Sequence, residues 1–304
     1  ETFHIGVLQW TENVEAFNQT YKGVIDGLRD KGYIDGGNLK ITYRNVAQDK
    51  ALALETAHAL VKDKVDLIVA LGTGSSLSAL KATEKNQIPV VFSIVGAPKA
   101  TGIIRDYDDP GRNITGVSMK VPIQEQFEMV REVLPELRKL GILYCTEMPQ
   151  AVTTGKDAAA AAPEFGWTAL VVCLPKQELP QLQKMVESLA QKVDAIYIPI
   201  DPVLGLSENL KTVIRVSDHW KIPIISMSGK YVKDGILMAV HCDFYGIGRQ
   251  AADPIVQVLE GVDVRSIPSQ TPLIRKLSLN LKKARQLNIR IKRNTILKAD
   301  NIVD

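Results

Sequence analysis

The sequence predicts an α/β protein of two similar lobes, each built on a doubly wound parallel sheet. Three observations lead to this prediction: strand patterns alternate with helix patterns, several of the strand patterns are continuous apolar runs, and the whole series occurs twice. Alternating strands and helices are typical of parallel sheets, and uniformly apolar strands are typical of sheets covered by helices on both faces. A chain of 304 residues also exceeds what one core normally supports.

The elements follow one another regularly in the first half, where glycine and aspartate turns separate them. The predicted elements there are strands over Phe3–Trp10, Leu39–Asn45, Val65–Gly72 and Pro89–Val95, alternating with helices over Val14–Lys31, Ala51–Lys62 and from near Ser75. The chain is expected to pass to the second lobe around Asn113–Pro122. Toward the C-terminus we expect a helix over Gly246–Glu260, a loop over Gly261–Pro272, a strand over Lys276–Asn280 and a helix over Leu281–Leu287.

Four short segments of the first half are echoed in the second. The echoes begin at Ile5 and Leu140, Lys64 and Lys192, Lys85 and His219, and Gly102 and Gly235, with offsets of 135, 128, 134 and 133 residues. A period this long indicates a duplicated domain, because solenoid and propeller repeats are roughly 20–50 residues long. We therefore expect one lobe from residues 1–117 plus about 244–262, and a second from residues 118–243 plus about 263–304.

Composition excludes several classes of function. The net charge of +3 is small and the basic residues are spread along the chain, which argues against nucleic-acid binding. The densest basic run, Arg290–Arg293, alternates with isoleucine and is interpreted as a solvated edge. No apolar run approaches the roughly 20 residues that span a bilayer. The chain enters a strand pattern at Phe3 without an initiator methionine, which fits either a mature exported chain whose signal peptide has been removed or a chain shortened artificially at this end.

Neither the cysteines nor the histidines form a recognisable reactive motif. Cys145, Cys173 and Cys242 match no metal or redox spacing and are expected to be buried free thiols; a Cys145–Cys173 bridge between neighbouring strands is the alternative. The chain lacks H-E-x-x-H, G-x-S-x-G and C-x-x-C motifs, and its four histidines are expected to be structural. We therefore expect no catalytic residues, no metal and no cofactor.

Ligands of open α/β sheets bind beyond the carboxyl ends of the strands. Gly72, Thr73, Gly74 and Ser75 form a strand-to-helix turn there, and the N–H groups and dipole of a helix start favour a carboxylate or phosphate. The turn is not a dinucleotide fingerprint, because Leu77 stands where the third glycine belongs. The alternative for Ser75 is a simple helix N-cap.

Three side chains at other strand ends of the two halves are further ligand candidates. Ser93 can donate a hydrogen bond to a ligand or, alternatively, to its own backbone. Trp10 and Tyr144 hold corresponding places after the first strands and are expected to clamp a flat or apolar ligand, with core packing as the alternative for each.

The second half offers polar strand ends of its own. Asp201 directly follows a strand and suits a ligand ammonium or hydroxyl, or else caps a helix with Pro202 at its first position. Ser226 and Ser228 end the next strand. Asp243 ends the strand after that, where it contacts ligand, caps the following helix or serves the hinge.

The chain resembles the ABC transporter substrate-binding proteins whose known relatives include tryptophan and phenylalanine binders. Coverage runs from Ile5 nearly to the last residue. The matching pieces are Ile5–Gln9, Tyr21–Leu28, Ile88–Ser93, Asn113–Gly116, Val193–Pro199, Asp243–Tyr245 with Gly248–Gln250, and Asn280–Lys282.

The resemblance implies a type I periplasmic-binding fold with a hinged ligand cleft. Thr73 matches the threonine that opens the helix cradling the ligand carboxylate in that family, and Ser93 and Asp201 also stand at matching positions. The chain departs from the family pattern at other presumed ligand positions. Those departures are Asn13-Val14, Gly96-Ala97-Pro98, Cys145-Thr146, Gln150-Ala151 and Pro202.

The resemblance also implies a function. The expected protein is a monomeric, extracytoplasmic solute-binding protein of an ABC importer, periplasmic or at the cell surface with or without a lipid anchor. Its expected partners are an ABC permease with its ATPase and a small carboxylate-bearing solute, either an aromatic amino acid or a related organic compound. A ligand-sensing receptor module feeding a signalling system is the alternative, followed by an enzyme that uses the cleft.

Overall fold

The computed structural model describes residues 2–304, and the chain forms two lobes. The first lobe comprises the residues up to Lys120 together with Cys242–Ile274, and the second comprises Val121–His241 together with Arg275–Asp304. The chain therefore passes from one lobe to the other after Lys120, after His241 and after Ile274.

Strands and helices alternate along most of the chain. Up to Lys120 they are β1 (Phe3–Gln9), α1 (Glu15–Asp30), β2 (Leu39–Asn45), α2 (Lys50–Lys62), β3 (Leu67–Leu71), α3 (Thr73–Thr83), β4 (Val90–Val95) and β5 (Ile114–Ser118). From Val121 onward they are α4 (Ile123–Val133), β6 (Lys139–Cys145), α5 (Pro149–Ala161), β7 (Thr168–Leu174), α6 (Leu182–Ala190), β8 (Ala195–Ile198), α7 (Ser207–Trp220), β9 (Ile224–Ser226), α8 (Gly229–Asp234), β10 (Met238–Cys242), α9 (Phe244–Leu259), β11 (Arg275–Asn280), α10 (Leu281–Gln286), α11 (Arg293–Ile296) and β12 (Asn301–Val303).

The first lobe is built on a sheet of strand order β2-β1-β3-β4-β5 in which the neighbouring strands are parallel. The chain winds from β1 to β2 on one side and then to β3 on the other, so the topological switch point lies between β1 and β3. β3, β4 and β5 are buried along their whole length. This burial is what the uniformly apolar strand patterns predict for parallel strands covered on both faces.

The second lobe repeats the winding of the first. Its sheet has the order β12-β11-β10-β9-β8-β6-β7, so β6, β7 and β8 take the places of β1, β2 and β3. The pairs β6–β7, β6–β8, β8–β9, β9–β10 and β11–β12 are parallel. The switch point of this sheet lies between β6 and β8. The predicted fold class, two α/β lobes with doubly wound parallel sheets, is confirmed.

Helix α9 belongs to the first lobe, where its backbone packs closely against the backbone of α1. A Cβ atom on Gly23 would lie 2.1 Å from the carbonyl oxygen of Tyr245, and one on Gly248 would lie 2.0 Å from that of Thr20. The Tyr245 hydroxyl then donates to Asp26 Oδ2 at 3.0 Å. Only glycine at these two positions lets the helices approach so closely. This packing and the Tyr245–Asp26 hydrogen bond hold α9 against α1.

The segment after α9 corrects one predicted lobe boundary. Residues 263–274 were assigned to the second lobe, whereas the structure keeps them in the first. Gln270 N–H donates to the carbonyl of Gly116 at 2.8 Å, and the Gln270 carbonyl accepts from Ser118 N–H at 2.9 Å. The segment thus pairs with β5, which otherwise ends its sheet with unpaired backbone groups.

All three cysteines are free. Across β6 and β7 the register pairs Cys173 with Tyr144 and Cys145 with Leu174. Successive strand residues point to opposite faces, so the Cys145 and Cys173 side chains lie on opposite sides of the sheet and cannot form the alternative bridge. Cys145 and Cys242 are buried as expected, whereas Cys173 is exposed on β7, the edge strand.

Candidate functional site

The start of α3 lies at the topological switch point of the first sheet. β1 ends at Gln9 and β3 ends at Leu71, and these two residues are neighbours in register. Gly72, at the N-cap position of α3, has φ 103° and ψ 159°. Glycine adopts this conformation readily and other residues do not. The sharp turn leads directly from β3 into α3 and places the helix start where ligands of such sheets bind.

The first turn of α3 presents N–H groups that have no acceptor within the helix. The first intrahelical bond runs from Ser76 N–H to the Gly72 carbonyl at 3.0 Å, so the amides of Thr73, Gly74 and Ser75 are the unpaired donors of a helix start. Gly72 offers no capping side chain. Ser75 is the third residue of the helix and not its N-cap. This geometry suits an anion such as a carboxylate.

Trp10 lies against this helix start. A Cβ atom on Gly74 would come within 2.3–2.6 Å of three atoms of the Trp10 six-membered ring. On Gly72 it would lie 3.0 Å from Trp10 Cβ and 2.8 Å from Phe17 Cε1. Glycine at both positions therefore lets the indole pack onto the start of α3. Trp10 is half-buried, so part of the indole remains exposed beside the unpaired amides.

Three buried polar atoms near the switch point have no hydrogen-bond partner within residues 2–304. They are the hydroxyls of Ser75 and Ser93 and the Oε1 atom of Gln9, in fully buried residues. Gln9 and Ser93 flank Leu71 in register, and Ser75 belongs to the first turn of α3. Leaving one such group unpaired costs about 1–3 kcal/mol, so a cluster of three indicates a site for a polar ligand.

Gln9 was not predicted from the sequence. The signal that could have found it is its position, since it is the polar residue that ends β1 after the apolar run Ile5–Leu8 and directly precedes Trp10. Its amide nitrogen donates to the Thr11 carbonyl at 2.9 Å and to Asn18 Oδ1 at 2.8 Å. These two bonds fix the orientation of the amide and leave Oε1 as an acceptor for another donor.

The strand that carries Ser93 ends in a strained bulge. The register between β4 and β5 shifts between Ser93 and Val95, and Ile94 between them has φ +53°. A β-branched residue rarely adopts positive φ, and such strain costs on the order of 1–3 kcal/mol. Bulges and strained residues concentrate at binding sites, where they aim a side chain or end a strand pairing.

Asp201 lies at the switch point of the second sheet, but its carboxylate is occupied by backbone donors. Oδ2 accepts from Cys145 N–H at 2.6 Å, and Oδ1 accepts from Val203 N–H at 2.9 Å and Leu204 N–H at 3.1 Å. The residue is fully buried. The geometry therefore favours a structural role in which Asp201 ties the turn after β8 to β6. It does not cap a helix, because α7 begins at Ser207.

Tyr144 is a core residue of the second lobe. It lies within β6, is buried, and packs on Gly155 of α5, where a Cβ atom would come within 2.4 Å of two ring carbons. Burial raises the pKa of Tyr144 to about 12. Ile5 pairs with Leu67, and Leu140 pairs with Ala195, which is the echo of Leu67; Tyr144 therefore corresponds to Gln9, and Cys145 to Trp10. The predicted correspondence of Trp10 and Tyr144 is therefore wrong by one residue, and the structure supports core packing for Tyr144.

The three remaining predicted ligand residues, Ser226, Ser228 and Asp243, do not belong to the group at the start of α3. The Ser226 hydroxyl donates to the Ile198 carbonyl at 2.7 Å and is buried. Ser228 and Asp243 stand half-buried at the N-cap positions of α8 and α9, and neither makes a side-chain capping bond. The predicted residues that the structure brings together are those of the first sheet: Trp10, Gly72, Thr73, Gly74, Ser75 and Ser93.

Within residues 2–304, no group of three or more histidine, cysteine, aspartate or glutamate side chains is placed to hold a metal ion. Two histidines have hydroxyl partners: His4 Nε2 lies 2.8 Å from Thr42 Oγ1, and His241 Nε2 lies 2.8 Å from Ser278 Oγ. In the same part of the chain, no helix has both the length and the apolar character that a membrane crossing requires.

Two doubly wound parallel lobes, with the chain passing between them three times, define the type I periplasmic-binding fold. The chain belongs to the ABC transporter substrate binding protein family, whose model matches residues 4–303. Members of this family are extracytoplasmic solute-binding proteins and not enzymes, so the resemblance inferred from the sequence is confirmed.

Individual relatives extend the comparison. The chain is 30% identical over 268 residues to a tyrosine-binding protein of Clostridioides difficile (strain R20291), covering 88% of this chain and 76% of the relative. It is similar to an ABC domain from Streptococcus pneumoniae solved in complex with L-Trp, with 28% identity, a TM-score of 0.77 and 100% coverage of both chains. A ligand-free, open substrate-binding protein with adhesive properties from Clostridium difficile shares the fold, with 24% identity, a TM-score of 0.88 and coverage of 100% and 99%.

Proposed function

We propose that this chain is the solute-binding component of an ABC importer and that it binds a small carboxylate-bearing solute, with aromatic amino acids as first candidates. The observation that carries the proposal is the start of α3. There, three backbone amides without intrahelical acceptors lie beside a half-buried tryptophan. The Ser93 carbonyl accepts from Gly72 N–H at 3.0 Å, and the Ser93 hydroxyl has no hydrogen-bond partner within residues 2–304.

The carboxylate of the solute binds the start of α3. Amides of Thr73, Gly74 and Ser75 donate to it, and the helix dipole favours its negative charge. The buried hydroxyls of Ser75 and Ser93 supply further donors near the same edge. Hydrogen bonds to a charged acceptor contribute about 1.5–3 kcal/mol each, so this subsite accounts for a large part of the affinity.

The side chain of the solute packs on the exposed part of Trp10. Offset or edge-to-face contact between two aromatic rings contributes about 0.5–1.5 kcal/mol beyond the burial of apolar area. A curated relative is named for tyrosine binding, and a similar solved structure contains L-Trp. Those two proteins make tyrosine and tryptophan the first solutes to test, and phenylalanine is tested beside them as the third large aromatic amino acid.

Closure of the two lobes on the loaded site is the proposed transport signal. The solute engages the first lobe, and contacts from the second lobe then stabilise the closed form. Ser228 belongs to the second lobe and is a candidate for such a contact, whereas Asp243 belongs to the first lobe, directly after the chain returns to it. Binding shifts a population between open and closed forms and drives no chemistry. The closed form docks on a membrane permease that works with an ATPase, and the protein acts as a monomer in the periplasm or at the cell surface.

The direct test is isothermal titration with L-tyrosine, L-tryptophan and L-phenylalanine, followed by analogues of the best binder. Tyramine, tryptamine or phenethylamine lacks the carboxylate, and the matching arylpropionate lacks the ammonium. We expect the amine to bind at least about a hundredfold more weakly, because at least two charge-assisted hydrogen bonds are lost. An amine that binds as tightly as its amino acid would contradict the carboxylate subsite.

A backbone substitution isolates the helix start. Thr73→Pro removes one N–H at the first helical position, where proline is well tolerated, and should weaken binding about tenfold to a hundredfold. Lys50→Pro makes the same change at the first position of α2 and should leave the affinity unchanged. Thr73→Ala separates the hydroxyl from the amide. If no carboxylate solute binds and some substrate is turned over, the binding role itself is refuted.

A further inference from the structure

The basic residues are spread along the chain, but the acidic residues are missing from one stretch near its C-terminal end. Residues 264–299 contain ten lysines and arginines and no aspartate or glutamate. The whole chain has 37 basic and 34 acidic residues, so the other 268 residues hold 27 basic and 34 acidic residues, a net charge of −7. A basic stretch on an otherwise acidic protein produces a local positive potential that the small overall charge conceals.

Ion pairs neutralise only part of this stretch. At least five of its ten basic residues pair with carboxylates, among them Lys298 with Glu132 at 2.8 Å and Arg285 with Asp304 at 2.5 Å. Within residues 2–304, Arg290, Lys292 and Arg293 form no ion pair, and all three are exposed. These three charges therefore remain available to an external anion.

An exposed leucine lies on the same helix face as one of these cations. Leu297 N–H donates to the Arg293 carbonyl at 3.0 Å, which places the two residues one helical turn apart. Leu297 is 73% exposed, whereas Ile291 and Thr295 are buried and anchor the other side of the segment. Arg290, Lys292, Arg293 and Leu297 together form what is called here the basic apolar patch.

We propose that the basic apolar patch binds the surface of an anionic phospholipid membrane. Its three cations contact lipid phosphates, and Leu297 enters the acyl boundary, which is the combination that interfacial membrane binding requires. Nucleic acid fits less well, because residues 264–299 contain no aromatic side chain on which a base could stack. An acidic protein surface would pair with the cations but leave Leu297 exposed to polar groups.

This proposal goes beyond the solute-binding role and does not depend on which solute is bound. A membrane-surface contact would hold the protein close to a permease embedded in that membrane. It would thereby raise the local concentration of the carrier without any direct contact to the transporter.

The test is co-sedimentation of the full chain with vesicles, at low and at high salt. Vesicles of equal parts phosphatidylglycerol and phosphatidylcholine should bind the protein, and phosphatidylcholine vesicles should not. The triple variant Arg290→Gln, Lys292→Gln, Arg293→Gln should bind the anionic vesicles about a hundredfold more weakly, since each cation contributes about fivefold. The control triple Lys50→Gln, Lys62→Gln, Lys85→Gln has the same net charge and should bind nearly as well as the parent.

A second variant pair tests the apolar part of the patch. Leu297→Ser should weaken vesicle binding several-fold, because the leucine contacts acyl chains. It should leave the binding of heparin unchanged, because heparin is a polyanion without acyl chains and reports only the contribution of the three cations. Leu206→Ser, at another exposed leucine of the second lobe, should change neither. The proposal is overturned if the anionic vesicles do not bind, if the control triple loses as much binding as the patch triple, or if duplex DNA competes fully for the same residues.

Discussion

Replacing Gly74 by alanine should weaken solute binding through Trp10 alone. The added Cβ atom would lie 2.3–2.6 Å from three atoms of the indole ring, whereas carbon atoms in contact are about 3.5–4.0 Å apart. The ring must therefore retreat by more than about 1 Å from the start of α3. Alanine suits the backbone of α3, so the perturbation is confined to the aromatic surface that faces the proposed ligand.

The expected magnitudes for stability and affinity differ. Alanine in a helix is favoured over glycine by about 1 kcal/mol, and overpacking costs about 1–3 kcal/mol. The free energy of unfolding should therefore fall by no more than about 2 kcal/mol. Loss of a ring contact to the solute, together with part of the apolar area that it buries, costs about 1–2 kcal/mol, which is a fivefold to thirtyfold increase in Kd.

Isothermal titration and urea denaturation measure the two effects separately. Gly155→Ala is the matched control, because it forces the same kind of clash on Tyr144 inside the second lobe. It should lower stability and leave Kd unchanged. In a Trp10→Ala background, Gly74→Ala should no longer affect Kd. The reasoning is refuted if Gly74→Ala leaves Kd unchanged, or if its effect persists when Trp10 is absent.

Four further results are expected. Ser93→Ala should raise Kd and leave the free energy of unfolding unchanged or slightly higher, because the Ser93 hydroxyl has no hydrogen-bond partner within residues 2–304. Ser226→Ala should instead lower the free energy of unfolding by about 1–2 kcal/mol, because it removes the buried hydrogen bond to the Ile198 carbonyl. Asp201→Asn should lower the free energy of unfolding by about 2–3 kcal/mol and change Kd little, since the carboxylate accepts backbone donors; a loss of affinity at unchanged stability would show that it contacts the solute. Burial raises the pKa of Cys145 to about 11 and that of Cys242 to about 12. At pH 8 a thiol reagent should therefore label the exposed Cys173 alone, and labelling of a second cysteine in the native protein would contradict the burial of the other two. These pKa values exceed the ordinary 9.0, so the stability that the protonated thiols contribute is complete below pH 9 and should be lost as the pH rises through 11 to 12 in a urea titration.

The sheet elements were predictable because their signal is local. β3 and β4 are short apolar runs bounded by turns, and the duplicated segments identified their counterparts in the second half. The start of α3 was expected near Ser75 and lies at Thr73. Its proposed role as an anion site follows from the helix start itself, which any strand-to-helix turn of this kind provides.

What the sequence did not reveal depends on distant contacts. The Asp201 carboxylate accepts a hydrogen bond from the N–H of Cys145, 56 residues earlier in the chain, and no local sequence pattern predicts that contact. The pairing of Gln270 with β5 involves backbone groups only and leaves no trace in side-chain periodicity. Tyr144 differs from Trp10 by one strand position, and a shift of one residue turns a side chain to the other face.

The central claim is that a solute carboxylate lies on the first turn of α3. The most direct measurement is the change in backbone amide chemical shifts of isotopically labelled protein on titration with the best-binding amino acid and with its amine analogue. The account predicts that the amides of Thr73, Gly74 and Ser75 move strongly downfield with the amino acid and not with the amine. Equal shifts with both compounds, or the largest shifts around Asp201, would contradict it.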